Sequence, residues 1–278
     1  MSGPLRPQQA VVLAGGTGSR LGALTTGIPK VLIPVAGRPF LSLLLLQLQA
    51  HGVRRVHFCL GHLADQVLRH LELSAPPGLE WTASVEPRQL GTAGALVHAV
   101  PYLDEEFVVL MGDSLMPVDP AALLDGHRRL GLGASLAVLR NDDWLVPSNV
   151  RVEGVWVTGY SKEARQGMRH VDYGMAVLRR SHLVRQADAA DGMADLGPLL
   201  RSLIADGQLA AVEVDRRFYE IGSPWGLAEL EGLLSGPAPA FPSPEFEEYS
   251  HVRHWRPTRH EGDHRVPAGL PQSLDVTP

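Results

Sequence analysis

Lysine is nearly missing from this 278-residue chain: of its 25 lysine and arginine residues, only Lys30 and Lys162 are lysine. A composition that writes almost every cation as arginine keeps lysine where a compact ammonium on a flexible stem serves better than a planar fork. A genome rich in arginine codons would leave the same count by accident, so the contexts of the two lysines have to decide. Cysteine is scarcer still. The lone Cys59, in an apolar strand-like run, excludes a disulfide framework and a cysteine-built metal site. Positive charge does not predominate either. A formal net charge of −5 argues against nucleic acid as a bulk electrostatic partner, so any polyanionic ligand must meet a local cluster of cations. The leucine stretch over 40–46 is far too short to span a bilayer, and MSGPLRPQQ is too polar for a secretory signal. Hexapeptide repeats are absent, which argues against an appended β-helix. These absences predict a soluble, cytoplasmic protein with neither nucleic-acid nor membrane partners.

What is present is a βαβ rhythm. Short apolar runs at 9–14, 55–60, 81–86, 107–111 and 134–139 read as strands. Between them, amphipathic patterns near 39–51, 63–73, 93–102 and 120–130 read as helices. Asp119 followed by Pro120 supplies an N-cap with proline at the first helical position. The leucines at 43–48 read as a buried helix face rather than a partner surface. Strands separated by helices of this length predict an α/β fold, Rossmann-like and three-layered (α/β/α), with a mixed, mostly parallel central sheet. After Asn141 the pattern loosens into a hairpin over 149–162 turning at Glu153-Gly154, a strand over 170–180, a helix over 194–207, a strand over 209–222 and a last helix capped by Ser223. Residues 1–234 read as one domain. The segment 235–278 is rich in proline, histidine and arginine without periodicity, and reads as a largely disordered tail. His51, His57, His62 and His70 share no spacing that would make a metal site with Cys59, and His251, His254, His260 and His264 read as solvated tail residues.

Chemistry concentrates in a few segments. Gly15, Gly16 and Gly18 follow the first strand directly, where missing Cβ atoms let backbone N–H groups approach phosphate oxygens. The spacing is neither the dinucleotide fingerprint nor the Walker pattern, and Arg20 and Lys30 add the cations a phosphate site needs. Asp113 ends a strand just after Gly112, at the edge where α/β folds bind ligands. A carboxylate there suits Mg²⁺, or simply caps the next turn. Glu86 could accept hydrogen bonds from both N1–H and N2–H₂ of guanine, or be solvated at a strand end.

The segments LAGGTGSRLGALTTGIPKVLIPVAGRPFL, EPRQLGTAGAL, VVLMGDS, SKE and FYEIGSPWGLAE occur in this order between residues 9 and 234. Together they resemble the sugar-1-phosphate nucleotidyltransferases (nucleoside-diphosphate-sugar pyrophosphorylases), and lean toward the heptose- and mannose-1-phosphate guanylyltransferases. The resemblance implies transfer of a nucleotidyl group from a nucleoside triphosphate, here leaning to GTP, to a sugar 1-phosphate, with release of pyrophosphate and with Mg²⁺ as cofactor. It implies that Leu13, Ala14, Gly15, Gly16, Thr17 and Gly18, with Glu86, Gly91, Thr92 and Ala93, bind the nucleotide. By the same resemblance Arg20 clamps the triphosphate, Lys30 stabilises charge at the attacked phosphorus, and Lys162 holds the sugar phosphate. Asp172, Tyr173 and Gly174 stand where the family often has Asn-Ala-Gly at the sugar, Tyr173 either packing under the sugar or filling the core. Asp113 and Glu220 would hold the metal, Glu220 standing where the family usually has Asp. The resemblance also admits a homo-oligomer.

Two competing readings expect other residues. A non-catalytic nucleotide-sugar sensor of the same fold would typically have lost Arg20, Lys30 or Asp113, and all three are present. A glycosyltransferase would carry Asp-x-Asp at a strand end, where GDSL offers one Asp.

Overall fold

The computed structural model describes residues 9–163, 165–189 and 195–235. Residues 236–278, nearly all of the expected tail and its four histidines, lie outside the described residues. The core is a nine-stranded sheet. Its first half contains β1 (Ala10–Ala14), β4 (Arg55–Leu60), β5 (Glu80–Val85) and β6 (Glu106–Met111). Its second half contains β8 (Ala134–Arg140), β9 (Val150–Glu153), β10 (Trp156–Tyr160), β11 (His170–Arg179) and β12 (Leu209–Val214). The strand order is β5-β4-β1-β6-β11-β8-β12-β10-β9. Strands β5, β4, β1 and β6 run parallel, β11 runs against β6 and β8, and β8 is parallel to β12. Two small ribbons lie outside the sheet: β2 (Pro34–Val35) with β3 (Arg38–Pro39), and β7 (Ser114–Leu115) with β13 (Tyr219–Glu220).

Alternation along β1 divides the core in two. Ala10, Val12 and Ala14 face one apolar cluster, Val11 and Leu13 the other. The first cluster is covered by α1 (Phe40–Ala50), α2 (Ala64–Ser74), α4 (Pro120–Leu130) and α7 (Pro224–Ser235). The second is covered by α3 (Gly91–His98), α5 (Arg180–Ala189) and α6 (Leu196–Ala205). This is the three-layer α/β/α arrangement with a mixed sheet. Helix α1 buries Phe40, Leu41, Leu44, Leu45 and Leu48 at helical spacing, each side chain contributing on the order of 1.5–3 kcal/mol by leaving water. Asp119 caps α4 by accepting the Ala121 N–H at 2.8 Å.

Several expected boundaries shift for identifiable reasons. Glu153 pairs with Trp156, so the hairpin turns on Gly154-Val155, one residue beyond Glu153-Gly154, with Gly154 at φ 61°. The stretch expected as one strand over 209–222 splits into β12 and β13, broken at the charged Asp215-Arg216-Arg217. Helix α5 has no counterpart in the sequence reading, its pattern being short of apolar residues.

This topology builds one edge. Because β1, β4, β5 and β6 are parallel, the residues that follow them (Gly15, Gly61, Glu86 and Gly112) emerge side by side at the carboxyl ends of the strands. Antiparallel β11 brings its start, His170 to Asp172, toward the same edge. A register shift between Asp172 and Ala176, with Gly174 at φ 80°, re-aims that segment.

Candidate active site

A cavity of about 210 Å³ opens at this edge. Leu13, Ala14, Gly15, Gly16 and Gly18 form one wall, Glu86, Gly91 and Thr92 a second, and Lys30 and Asp113 stand between them. Gly18 has φ 68°, and a Cβ there would lie 2.7 Å from the Thr25 methyl, so the loop needs glycine to turn onto the Lys30 segment. Glu86 is fixed by the Leu90 N–H donating to Oε2 at 2.9 Å, while Oε1 lies against Gly15 and Gly61. A Cβ on Gly61 would collide with that carboxylate. Thr17 is exposed and Ala93 is fully buried, and neither borders the cavity.

Lys30 and Asp113 form an ion pair through Nζ and Oδ2, with side chains 12% and 21% exposed. The Ser114 hydroxyl donates to Oδ1 at 3.2 Å. A sheltered pair of this kind keeps the ammonium from collapsing onto the glycine loop and holds it where phosphate oxygens would arrive.

Arg20 lies outside the cavity wall, in a 3₁₀ turn over Ser19–Thr25. Its guanidinium reaches the closing segment, 3.1 Å from where a Cβ on Gly222 would be. Glu220 belongs to that segment. Its Oε2 accepts the Gly222 N–H at 2.6 Å and its Oε1 accepts the Ser223 hydroxyl at 2.7 Å, while Ser223 Oγ accepts the Gly226 N–H at 3.1 Å. Glu220 therefore buttresses the start of α7, where Ser223 caps as expected. The Ile221 N–H donates to the Asp113 carbonyl at 2.9 Å, tying this segment to Asp113 through backbone. Of the two carboxylates expected at a metal, Asp113 is thus on the cavity wall and Glu220 is engaged behind it. Among the described residues no group of three or more His, Cys, Asp or Glu is arranged to hold a metal.

The segments expected at the sugar meet beside β6. A Cβ on Gly174 would lie 3.2 Å from Met111, which borders the cavity. The Gly174 N–H donates to Asp172 Oδ1 at 2.9 Å, and the Tyr160 hydroxyl donates to Oδ2 at 3.3 Å. Burial pushes the Asp172 carboxyl upward, opposed by these two hydrogen bonds and the nearby Lys162 ammonium. Lys162, exposed just beyond β10, therefore gathers with Asp172 on the cavity's β11 side, although it does not border the cavity. Tyr173 resolves the other way. At 1% exposure and edge-on to Phe218, its ring fills the core instead of underlying a ligand.

Sequence reasoning missed Cys59, Gln89, Met111 and Asp195 on the cavity wall. Gln89 and Met111 were within reach, being embedded in EPRQLGTAG and VVLMGD. Cys59 gives no such signal: burial pushes its thiol up to about 12, so it acts as an inert wall.

The nucleotidyl transferase family model matches residues 9–143. The bifunctional protein GlmU of Methanococcus maripaludis is 26% identical over 229 residues, covering 78% of this chain and 52% of that protein. Mannose-1-phosphate guanylyltransferase of Mycobacterium tuberculosis is 36% identical over 137 residues, covering 48% of this chain and 38% of that protein. The chain thus spans about half or less of the length of these curated relatives. The crystal structure of HddC from Yersinia pseudotuberculosis complexed with GMP-PN has a TM-score of 0.68 at 23% identity, covering 80% of this chain and 97% of that one, a likeness of fold. The match to the nucleotidyl transferase family model, over residues 9–143, takes in the glycine loop, Lys30, Glu86 and Asp113.

Proposed function

We propose that the protein transfers a nucleotidyl group from a nucleoside triphosphate to a sugar 1-phosphate, giving a nucleotide-activated sugar and pyrophosphate. The observation that carries this reading is the sheltered Lys30–Asp113 pair, set between a glycine loop that can accept phosphates and a Glu86–Thr92 wall that can hold a base. In-line attack of a sugar phosphate oxygen on the α-phosphorus asks little covalent chemistry of the protein and much positioning and charge neutralisation. Glycine-loop N–H groups and Lys30 meet the triphosphate. Arg20, at the rim beside Gly222, meets the departing pyrophosphate. Lys162 meets the incoming sugar phosphate next to Asp172.

Asp113 fits Mg²⁺, since it borders the cavity beside Lys30, and this cation accepts one or two carboxylates completed by phosphate oxygens and water. The bound cation would supply charge neutralisation among the phosphates. Glu220, with each oxygen already accepting a hydrogen bond, would support Asp113 from behind.

For the base, the reading is guanine. Glu86 Oε1 accepts no protein hydrogen bond among the described residues and Oε2 accepts one, so the carboxylate can still receive N1–H and N2–H₂. For the sugar, a mannose or heptose type is favoured, in keeping with the name of the mycobacterial relative. The test is a pyrophosphate-release screen pairing ATP, GTP, CTP, UTP and dTTP with a panel of sugar 1-phosphates over a Mg²⁺ series. Release with GTP and mannose or heptose 1-phosphate is expected. Release only with a pyrimidine triphosphate would overturn the base assignment, and no release from any pair would overturn the activity.

A further inference from the structure

One carboxylate on the cavity wall stands outside this chemistry. Asp195 occupies the N-cap position of α6 with capping dihedrals (φ −110°, ψ 160°), yet its side chain makes no cap hydrogen bond. The first turn of α6 is instead capped from outside: Thr92, from α3, accepts the Leu196 N–H through Oγ1 at 2.8 Å. Aspartate at an N-cap ordinarily satisfies the second or third helical N–H itself. Here that need is partly met by another element, and the carboxylate borders the cavity without a hydrogen-bond partner among the described residues.

Its surroundings set what it can recognise. The first turn of α6 lies against Tyr160, a Cβ on Gly197 falling 3.6 Å from the phenol ring, at ordinary contact distance. Burial, with Asp172 and Asp195 nearby, keeps the Tyr160 phenol protonated, so it donates to Asp172 as observed. Asp172 is held rigidly, its own N–H donating to Asn149 Oδ1 at 2.8 Å. This end of the site therefore offers two carboxylates, one locked and one uncommitted, facing the region where Lys162 gathers. Ionised carboxylates are acceptors only, and they need donors from a ligand.

We propose that Asp195 is a specificity-determining residue for the sugar 1-phosphate: with Asp172 it accepts hydrogen bonds from sugar hydroxyls, and by its charge it turns away sugars that carry a carboxylate. The sugar is then a hydroxyl-rich neutral one and not a uronic acid, a selection that works by both attraction and repulsion. This rests on the nucleotidyl-transfer reading.

The test is steady-state pyrophosphate release by the full chain with glucose, mannose and heptose 1-phosphates against glucuronic and galacturonic acid 1-phosphates. Asp195→Ala is expected to raise KM for the preferred neutral sugar 1-phosphate about tenfold while moving KM for the triphosphate less than about twofold, with the urea midpoint unchanged. Asp195→Asn keeps the shape and one acceptor oxygen but removes the charge, and is expected to narrow the preference for neutral over acidic sugars by about tenfold. If Asp195→Ala does not fold, the Asp195→Asn preference ratio decides alone. An unchanged sugar KM and preference ratio in a chain that releases pyrophosphate would overturn the inference and leave the activity standing. A lowered midpoint with both KM values rising together would reduce Asp195 to a helix residue and overturn it as well. A wild-type chain that releases no pyrophosphate from any pair would overturn both.

Discussion

The end of the cavity we assign to the nucleotide and the end we assign to the sugar are built by different means. The nucleotide end is made of backbone: Gly15, Gly16 and Gly18 leave β1 within five residues of its last position, and Gly91 opens α3 directly. The sugar end is made of side chains delivered from Asn149, Tyr160, Lys162, Asp172 and Asp195, which meet through β9, β10, β11 and α6. Backbone sites demand glycine at fixed offsets from a strand, and that demand is written locally. Side-chain sites are written only in topology, so they can drift without disturbing any local rule.

The largest expected effect tests the residue where the two ends join. Asp113→Asn removes the partner of Lys30 and the carboxylate facing the phosphates, so turnover should fall about 10²–10³-fold, roughly 3–4 kcal/mol of transition-state stabilisation. The measurement is kcat over a Mg²⁺ series; unchanged turnover throughout would remove Asp113 from the site. Next comes the division itself. Lys162→Ala should weaken binding of the sugar 1-phosphate about 10–100-fold, and the triphosphate hardly at all, because the ammonium gathers with Asp172 and away from the glycine loop. Titration calorimetry that found equal losses for both ligands would erase the distinction between the ends.

How far the sequence could be read follows the same line. Strands β1, β4 and β6 and helices α1, α2 and α4 were legible because their apolar spacing and caps are local. Eight of the ten residues expected at the nucleotide line the cavity, and they and the Lys30–Asp113 pair came from motifs contiguous with those strands. Tyr173 was ambiguous because an aromatic beside a glycine bulge points either way until β11 is placed between β6 and β8. Asp195 was invisible as a site residue because from sequence an aspartate before a helix is simply a cap, and only the approach of Thr92 shows otherwise.

Acid stability compares the halves of the sheet behind the two ends. His57, fully buried on β4, is held by the Thr82 and Ser84 hydroxyls of β5 at 2.8 and 3.0 Å. His127, fully buried between α4 and β8, is held by Ser135 at 3.0 Å. Burial lowers each imidazole to about 4, His98 adding to the effect at His57, while Glu106 opposes it at His127. Because both folded values lie below the unfolded one, the unfolded chain takes up protons first as pH falls. Their contribution is complete above about pH 6.5 and is lost on the way down to about pH 4. Between pH 7 and pH 5 each histidine should remove about 2 kcal/mol of stability, read by urea unfolding. A flat profile would mean that neither half carries a buried neutral imidazole.

The smallest expected effect bears on whether the ends are independent. Thr92 borders the nucleotide end, yet its hydroxyl oxygen caps α6, whose start carries Asp195 toward the sugar end. Thr92→Val keeps the branched shape and deletes the acceptor, leaving the Leu196 N–H at a helix start without its partner. Loss of a cap of this kind costs about 1 kcal/mol. That loss would appear as a lower urea midpoint at unchanged m-value, since the exposed surface on unfolding is the same. If the hydrogen bond also fixes where α6 begins, KM for the sugar 1-phosphate should rise a few-fold, although Thr92 sits on the nucleotide wall. A rise confined to the triphosphate would show that the two ends, despite sharing a cavity, are set separately, and that the sugar side is positioned by β10 and β11 without help from the loop that holds the base.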